Sequence, residues 1–228
     1  MNPLTHLLLA AALFLATHYL ASTPLRAKLV AALGKAYLGL FSLVAFATLG
    51  YMTWAYYRAP FINLWYAVAL HYVPLIVMPF ALLLVVCGLL TRNPTLVGQE
   101  DLLKSGDPVQ GILRVTRHPL MWGFALWAAS HIAARGDVAA LVFFSTFLLL
   151  ALSGTVLIDR RKAATLGEDW QRYAAVTSNL PFAAIAAGRN RFKPGEIGWI
   201  NPVVAVALYV LLLGQHADLF GASPLFFL

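Results

Sequence analysis

Apolar residues run along this chain in long, nearly unbroken blocks. They lack the one-sided stripe of a helix lying half in water. Six blocks approach the roughly 20 apolar residues that a helix needs to cross a bilayer; they cover 4–21, 36–57, 70–91, 119–134, 138–158 and 199–215. The fourth is short and meets the fifth through Arg135-Gly136-Asp137, a turn sequence. That pair predicts a helical hairpin whose first arm falls short of the hydrocarbon thickness at normal incidence. The pattern predicts an all-α, polytopic transmembrane bundle of about six spans, one domain over 1–228, with the lipid bilayer as its main partner.

Composition supports the pattern. Of 228 residues, 61% are apolar and 11% charged, and mean hydropathy is +0.78. Ordinary soluble domains are about 45–50% apolar and about 25% charged. Disordered, collagen-like and typical soluble enzyme classes are thereby excluded. The net charge of +7 does not point to nucleic acid, because the basic residues sit at the ends of apolar blocks, where headgroups meet them. Fourteen of the sixteen lysines and arginines fall in the first, third and fifth connections, and only Arg58 and Arg135 fall on the other side. Basic residues accumulate on the cytoplasmic side, so both termini are expected outside. No basic stretch precedes the first block, which therefore reads poorly as a cleavable signal peptide.

The connection after the fifth block, residues 159–198, is too short for a soluble core of its own. Within it, the run from Leu166 to Tyr173 predicts a short interfacial helix, with Trp170 and Tyr173 at headgroup level. The lone cysteine, Cys87, lies inside an apolar run and reads as a core filler.

Acids are absent from block centres, but all six histidines (His6, His18, His71, His118, His131, His216) lie in or at the edge of a block. An imidazole there is a metal ligand, a proton carrier or a satisfied hydrogen-bonding group. With the N-terminus outside, His18 and His118 fall near the cytoplasmic edge, and the other four nearer the outer edge. His118 and His131 lie about 20 Å apart along one helix and about 140° around it, so any two-histidine site draws on different helices. Pro119 suits a first helical position. Arg117 and His118 then stand at a helix N-terminus, which favours an anion or an acidic cofactor group. No phosphate loop, paired-cysteine metal motif or nucleophile elbow occurs.

The run Arg117-His-Pro-Leu-Met-Trp-Gly-Phe-Ala-Leu-Trp-Ala-Ala-Ser-His131, followed by Gly136-Asp137, resembles the NnrU family of membrane proteins. The runs Thr17–Arg26 and Gly214–Pro224 resemble it as well. Parts of the pattern are similar to the 15-cis-zeta-carotene isomerases. That resemblance implies a haem b protein with His18 and His131 as iron ligands, Trp127 as a further cofactor contact, and a haem-dependent isomerase or redox activity on a lipophilic substrate. Depth along the blocks suggests other pairs, His71 with His131 and His118 with His18. The NnrU resemblance implies a bacterial inner-membrane protein linked to nitrogen-oxide respiration. A more distant resemblance, through Arg117, His118, Pro119 and Gly123, is to the isoprenylcysteine carboxyl methyltransferases. It implies S-adenosylmethionine as the alternative cofactor and methyl transfer as the alternative reaction. This chain departs from that pattern: Met121 replaces a tyrosine, and Asp159-Arg160-Arg161-Lys162 replaces an acidic pair. Losing those carboxylates removes favourable charge opposite a sulfonium. A third reading is a non-catalytic membrane accessory factor.

Overall fold

The computed structural model describes residues 2–104 and 106–225. Its helices are α1 (Pro3–Leu20), α2 (Leu25–Leu33), α3 (Ala36–Arg58), α4 (Val68–Leu90), α5 (Pro119–Arg135), α6 (Val138–Val176), α7 (Ala183–Ala186), α8 (Ile200–Gly214) and α9 (His216–Phe220). Among the described residues no strand forms; one isolated bridge joins Asn63 to Asp137. The fold is the expected helical membrane bundle, with an apolar helix at each of the six expected places. Four of these helices, α1, α3, α4 and α6, are long and apolar enough to cross a membrane. At 17 and 15 residues, α5 and α8 reach only about 25 Å and about 22 Å.

Local chemistry sets the helix ends. Asn2 caps α1 by accepting from the Thr5 N–H at 2.8 Å, with Pro3 as first helical residue. The α5–α6 hairpin turns at Gly136, whose backbone is left-handed (φ 58°, ψ 22°). Asp137 then starts α6, its Oδ1 accepting from the Ala140 N–H at 2.9 Å. Gly136 is also required sterically, because a Cβ there would stand 2.1 Å from the Trp65 carbonyl oxygen.

Packed neighbours run in the order α3, α1, α6, α5, α4, α8. Without a hydrophobic force between helices in lipid, close packing depends on small residues, and α4 and α5 meet in that way. A Cβ on Gly88 would lie 2.7 Å from the Leu120 nitrogen, and one on Gly123 2.8 Å from the Ala81 oxygen. Cys87 is buried with Ile112, Leu113 and Val115, as a core filler should be. Large apolar side chains such as Leu43, Phe46, Ile76 and Phe80 point outward, toward the space that lipid would fill.

At the basic end the structure departs from the sequence reading. Helix α6 runs on past Ile158 and breaks at Gly167, whose backbone is not helical (φ 51°, ψ −124°), so the residues after it form the expected short helix, which ends at Val176. Trp170 and Tyr173 are buried against Leu103 and Val109 rather than presented to headgroups. The reason is cover from the 91–118 connection, which folds over this part of α6. It is pinned by the buried Lys162 ammonium, which donates to Glu100 at 2.6 Å and to the Leu96 carbonyl at 3.3 Å.

Candidate functional site

Two polar assemblies stand at opposite ends of the bundle. At the basic end, Asp159 on α6 receives Arg117 and His118 from the start of α5. Arg117 Nη2 donates to Oδ2 at 2.5 Å and Nε to Oδ1 at 3.0 Å, while His118 Nε2 meets Oδ1 at 2.6 Å. The Arg117 guanidinium also lies over the Trp170 ring at 5.7 Å. His118 is 2% exposed, and burial pushes its imidazole below the ordinary value although Asp159 pulls the other way. Both side chains foreseen as cofactor contacts at this helix N-terminus are therefore turned onto Asp159. Such a charge-assisted network locks the α5 start to α6.

The opposite, charge-poor end holds a cavity of about 420 Å³ between α4, α5 and α8. Its interior is apolar, with Pro74, Leu75 and Met78 on one wall and Leu212 and Leu213 on another. Two cross-ties hold its shape. Tyr209 donates to the Leu75 carbonyl at 3.0 Å, joining α8 to α4. Trp65 Nε1 donates to the Ala133 carbonyl at 3.0 Å, fastening the 59–67 connection over the end of α5. Phe61, Asn63 and Tyr66 from that connection form one side of the rim, and the segment from His216 to Pro224 forms the other.

Three histidines line this cavity: His71 on α4, His131 on α5 and His216 at the start of α9. Each Nδ1 faces a backbone carbonyl, that of Ala67 at 3.2 Å, Trp127 at 2.8 Å and Ala222 at 2.6 Å. A carbonyl can only accept, so each Nδ1 carries the proton. In the neutral ring Nε2 then holds the lone pair. This is the arrangement in which a backbone oxygen fixes the tautomer and ring orientation of a metal-binding imidazole. His131 is further seated on Trp127 and Phe144, with ring centroids 5.8 and 5.1 Å away. Among the described residues no three His, Cys, Asp or Glu side chains converge closely enough to hold a bare metal ion. A protein-only metal site needs three or four such ligands; a haem iron takes axial ones alone.

Of the residues foreseen from sequence, His71, His131 and Trp127 line one cavity, and His18 does not. The His18 ring packs on Phe14 and Phe41, between α1 and α3, and its Nδ1 donates to the Phe14 carbonyl at 2.8 Å. Its neighbour Tyr19 bonds Ser153, whereas His131 stacks on Phe144, so the two rings differ in depth by roughly 13 Å along α6. His6 bonds the Tyr51 hydroxyl at 2.7 Å. The sequence reading put His216 at the outer edge but missed it as a cavity residue. The signal was available, because His71, His131 and His216 share one depth. The role of Asp159 carried no such signal, since its partners lie about forty residues away.

The profile of the NnrU family, described as NnrU protein, matches residues 6–224, a range that contains every residue lining the cavity. Two plant proteins match shorter stretches. The chloroplastic 15-cis-zeta-carotene isomerase of Arabidopsis thaliana is 39% identical over 80 residues, covering 35% of this chain and 22% of that protein. That of Zea mays is 32% identical over 106 residues, covering 46% and 29%. The matched region thus spans less than a third of either relative's own length. No solved structure matches.

Proposed function

We propose, from the premise that the chain belongs to the NnrU family, that it is a membrane protein holding haem b in the cavity at the charge-poor end and acting as an isomerase on a lipophilic guest. The carrying observation is that three imidazoles line one apolar cavity, each with its Nδ1 proton spent on a backbone carbonyl. His131 is the first candidate to hold iron, with His71 or His216 completing the pair. Trp127 supports His131 and forms part of the wall.

The donor set suits a porphyrin better than a bare ion, since imidazole nitrogens are present without the acidic or thiolate partners that complete a protein-only site. Bound there, the group would supply an iron centre able to act as a Lewis acid or one-electron site in a dry pocket. The chain's own part is to orient and exclude. Backbone carbonyls fix the imidazole tautomers, the α4 and α8 side chains keep water out, and the Trp65 and Tyr209 ties hold the walls at fixed separation. The isomerase reading also draws on the two plant relatives, both named as 15-cis-zeta-carotene isomerases.

The experiment is an absorption spectrum of protein purified from haem-replete cells. A Soret band is expected, lost or shifted in His131→Ala and altered in His71→Ala or His216→Ala, but unchanged in His18→Ala. A colourless protein, or a band that responds to His18→Ala alone, overturns the reading.

A further inference from the structure

The rim of the cavity carries a cation whose hydrogen-bonding fork is largely unspent. Arg135, the last residue of α5, lines the cavity. Only its Nε is engaged, donating to Asp137 Oδ2 at 3.3 Å, and among the described residues neither Nη1 nor Nη2 has an acceptor. Asp137 cannot turn to meet that fork: it is 1% exposed and its other oxygen caps α6. Asn63, Tyr66 and Ser223 line the same cavity, and like Arg135 they can pair with a polar group on its guest.

Placement strengthens the point. Arg135 is one of two basic residues at an end that basic residues otherwise avoid. The other, Arg58, is accounted for by the Trp54 ring, over which it lies at 5.0 Å. A planar fork with two free nitrogens matches a carboxylate, which can take both bonds at once. We propose that Arg135 binds a carboxylate on the cavity's guest, so that the guest enters as an apolar body with an acid group held at the rim. This rests on the reading of the cavity as the haem site, in which case the carboxylate is a haem propionate; a long-chain fatty acid presents the same chemistry.

The test is a titration of apoprotein in detergent with haem b and with its dimethyl ester, followed by absorbance, for wild type, Arg135→Gln and Arg135→Lys. Wild type should bind the acid about tenfold or more tighter than the ester, the range of one charged hydrogen-bonded pair. Arg135→Gln should lose that preference with ester affinity unchanged, and Arg135→Lys should keep part of it. Equal binding of acid and ester by wild type overturns the assignment and leaves the haem reading intact. If neither porphyrin binds, the haem reading falls, and palmitate against methyl palmitate, read by tryptophan quenching, decides for Arg135. A preference for the acid that disappears in Arg135→Gln then upholds it, and its absence overturns it.

Discussion

At the residue scale, Asp159 carries the largest structural responsibility. It is the shared acceptor for Arg117 and His118, both mostly out of water. Removing one partner of a buried charged network costs far more than the network contributes net, because the remaining charge stays unpaired. Asp159→Ala should therefore lower stability by about 3 kcal/mol or more, measured by unfolding in micelles, and Asp159→Asn by less. Tyr173 is the converse. Its side chain is fully buried, and its hydroxyl is the one buried side-chain polar atom without a partner among the described residues. Deleting an unpaired buried polar group relieves its desolvation penalty, so Tyr173→Phe should leave stability unchanged or raise it by about 1 kcal/mol. A clear loss in that variant would mean that the hydroxyl has a partner in the protein as it exists in lipid. Neither role was legible beforehand. Hydrophobic spacing pairs residues three or four apart and says nothing of partners brought together by a hairpin.

At the element scale, the apolar blocks located every spanning helix, because in hydrocarbon a backbone has no alternative to satisfying itself internally. What composition could not locate was the far end of α6. Beyond Ile158 the helix persists to its break at Gly167 and resumes to Val176, because Leu103, Val109 and the Lys162–Glu100 pair cover it, and such support is tertiary. A second tie at that end joins the 3-10 turn Gly111–Arg114 to the turn Pro194–Ile197. Arg114 grips Glu196 with both ends of its guanidinium, at 2.6 and 2.9 Å, and the Gly111 N–H adds a third bond at 2.9 Å. Arg114 thereby holds the Glu196 carboxyl down to about 2, against an ordinary 4.5. A carboxyl depressed on folding stabilises fully above its unfolded value, and that contribution fades as pH falls from about 4.5 toward about 2. Hydrogen-exchange protection in these two turns, taken relative to the intrinsic exchange rate at each pH, should fall across that window in wild type. In Glu196→Gln that protection should already be low at neutral pH and change little with acid. A flat wild-type profile would contradict the assignment.

At the scale of the whole molecule, charge and chemistry divide the bundle into two ends. One end carries nearly all the basic residues and a closed layer of ion pairs around Asp159, Glu100 and Glu196. The other carries few charges, a cavity and three oriented imidazoles. That division was legible in the sequence as an asymmetry of lysine and arginine and as a common depth of histidines. The cavity was not, since it depends on how α8 leans on α4 and on the path of the 59–67 connection. The proposed haem is identified by its spectrum, which reports the iron's ligands directly. The most direct measurement is the electron paramagnetic resonance of the oxidised, purified protein beside its His131→Ala, His71→Ala and His216→Ala variants. The prediction is a low-spin ferric signal from two imidazole ligands, converted to high spin by His131→Ala and by one of the other two. A protein without ferric haem, or a low-spin signal that survives all three substitutions, would contradict the account.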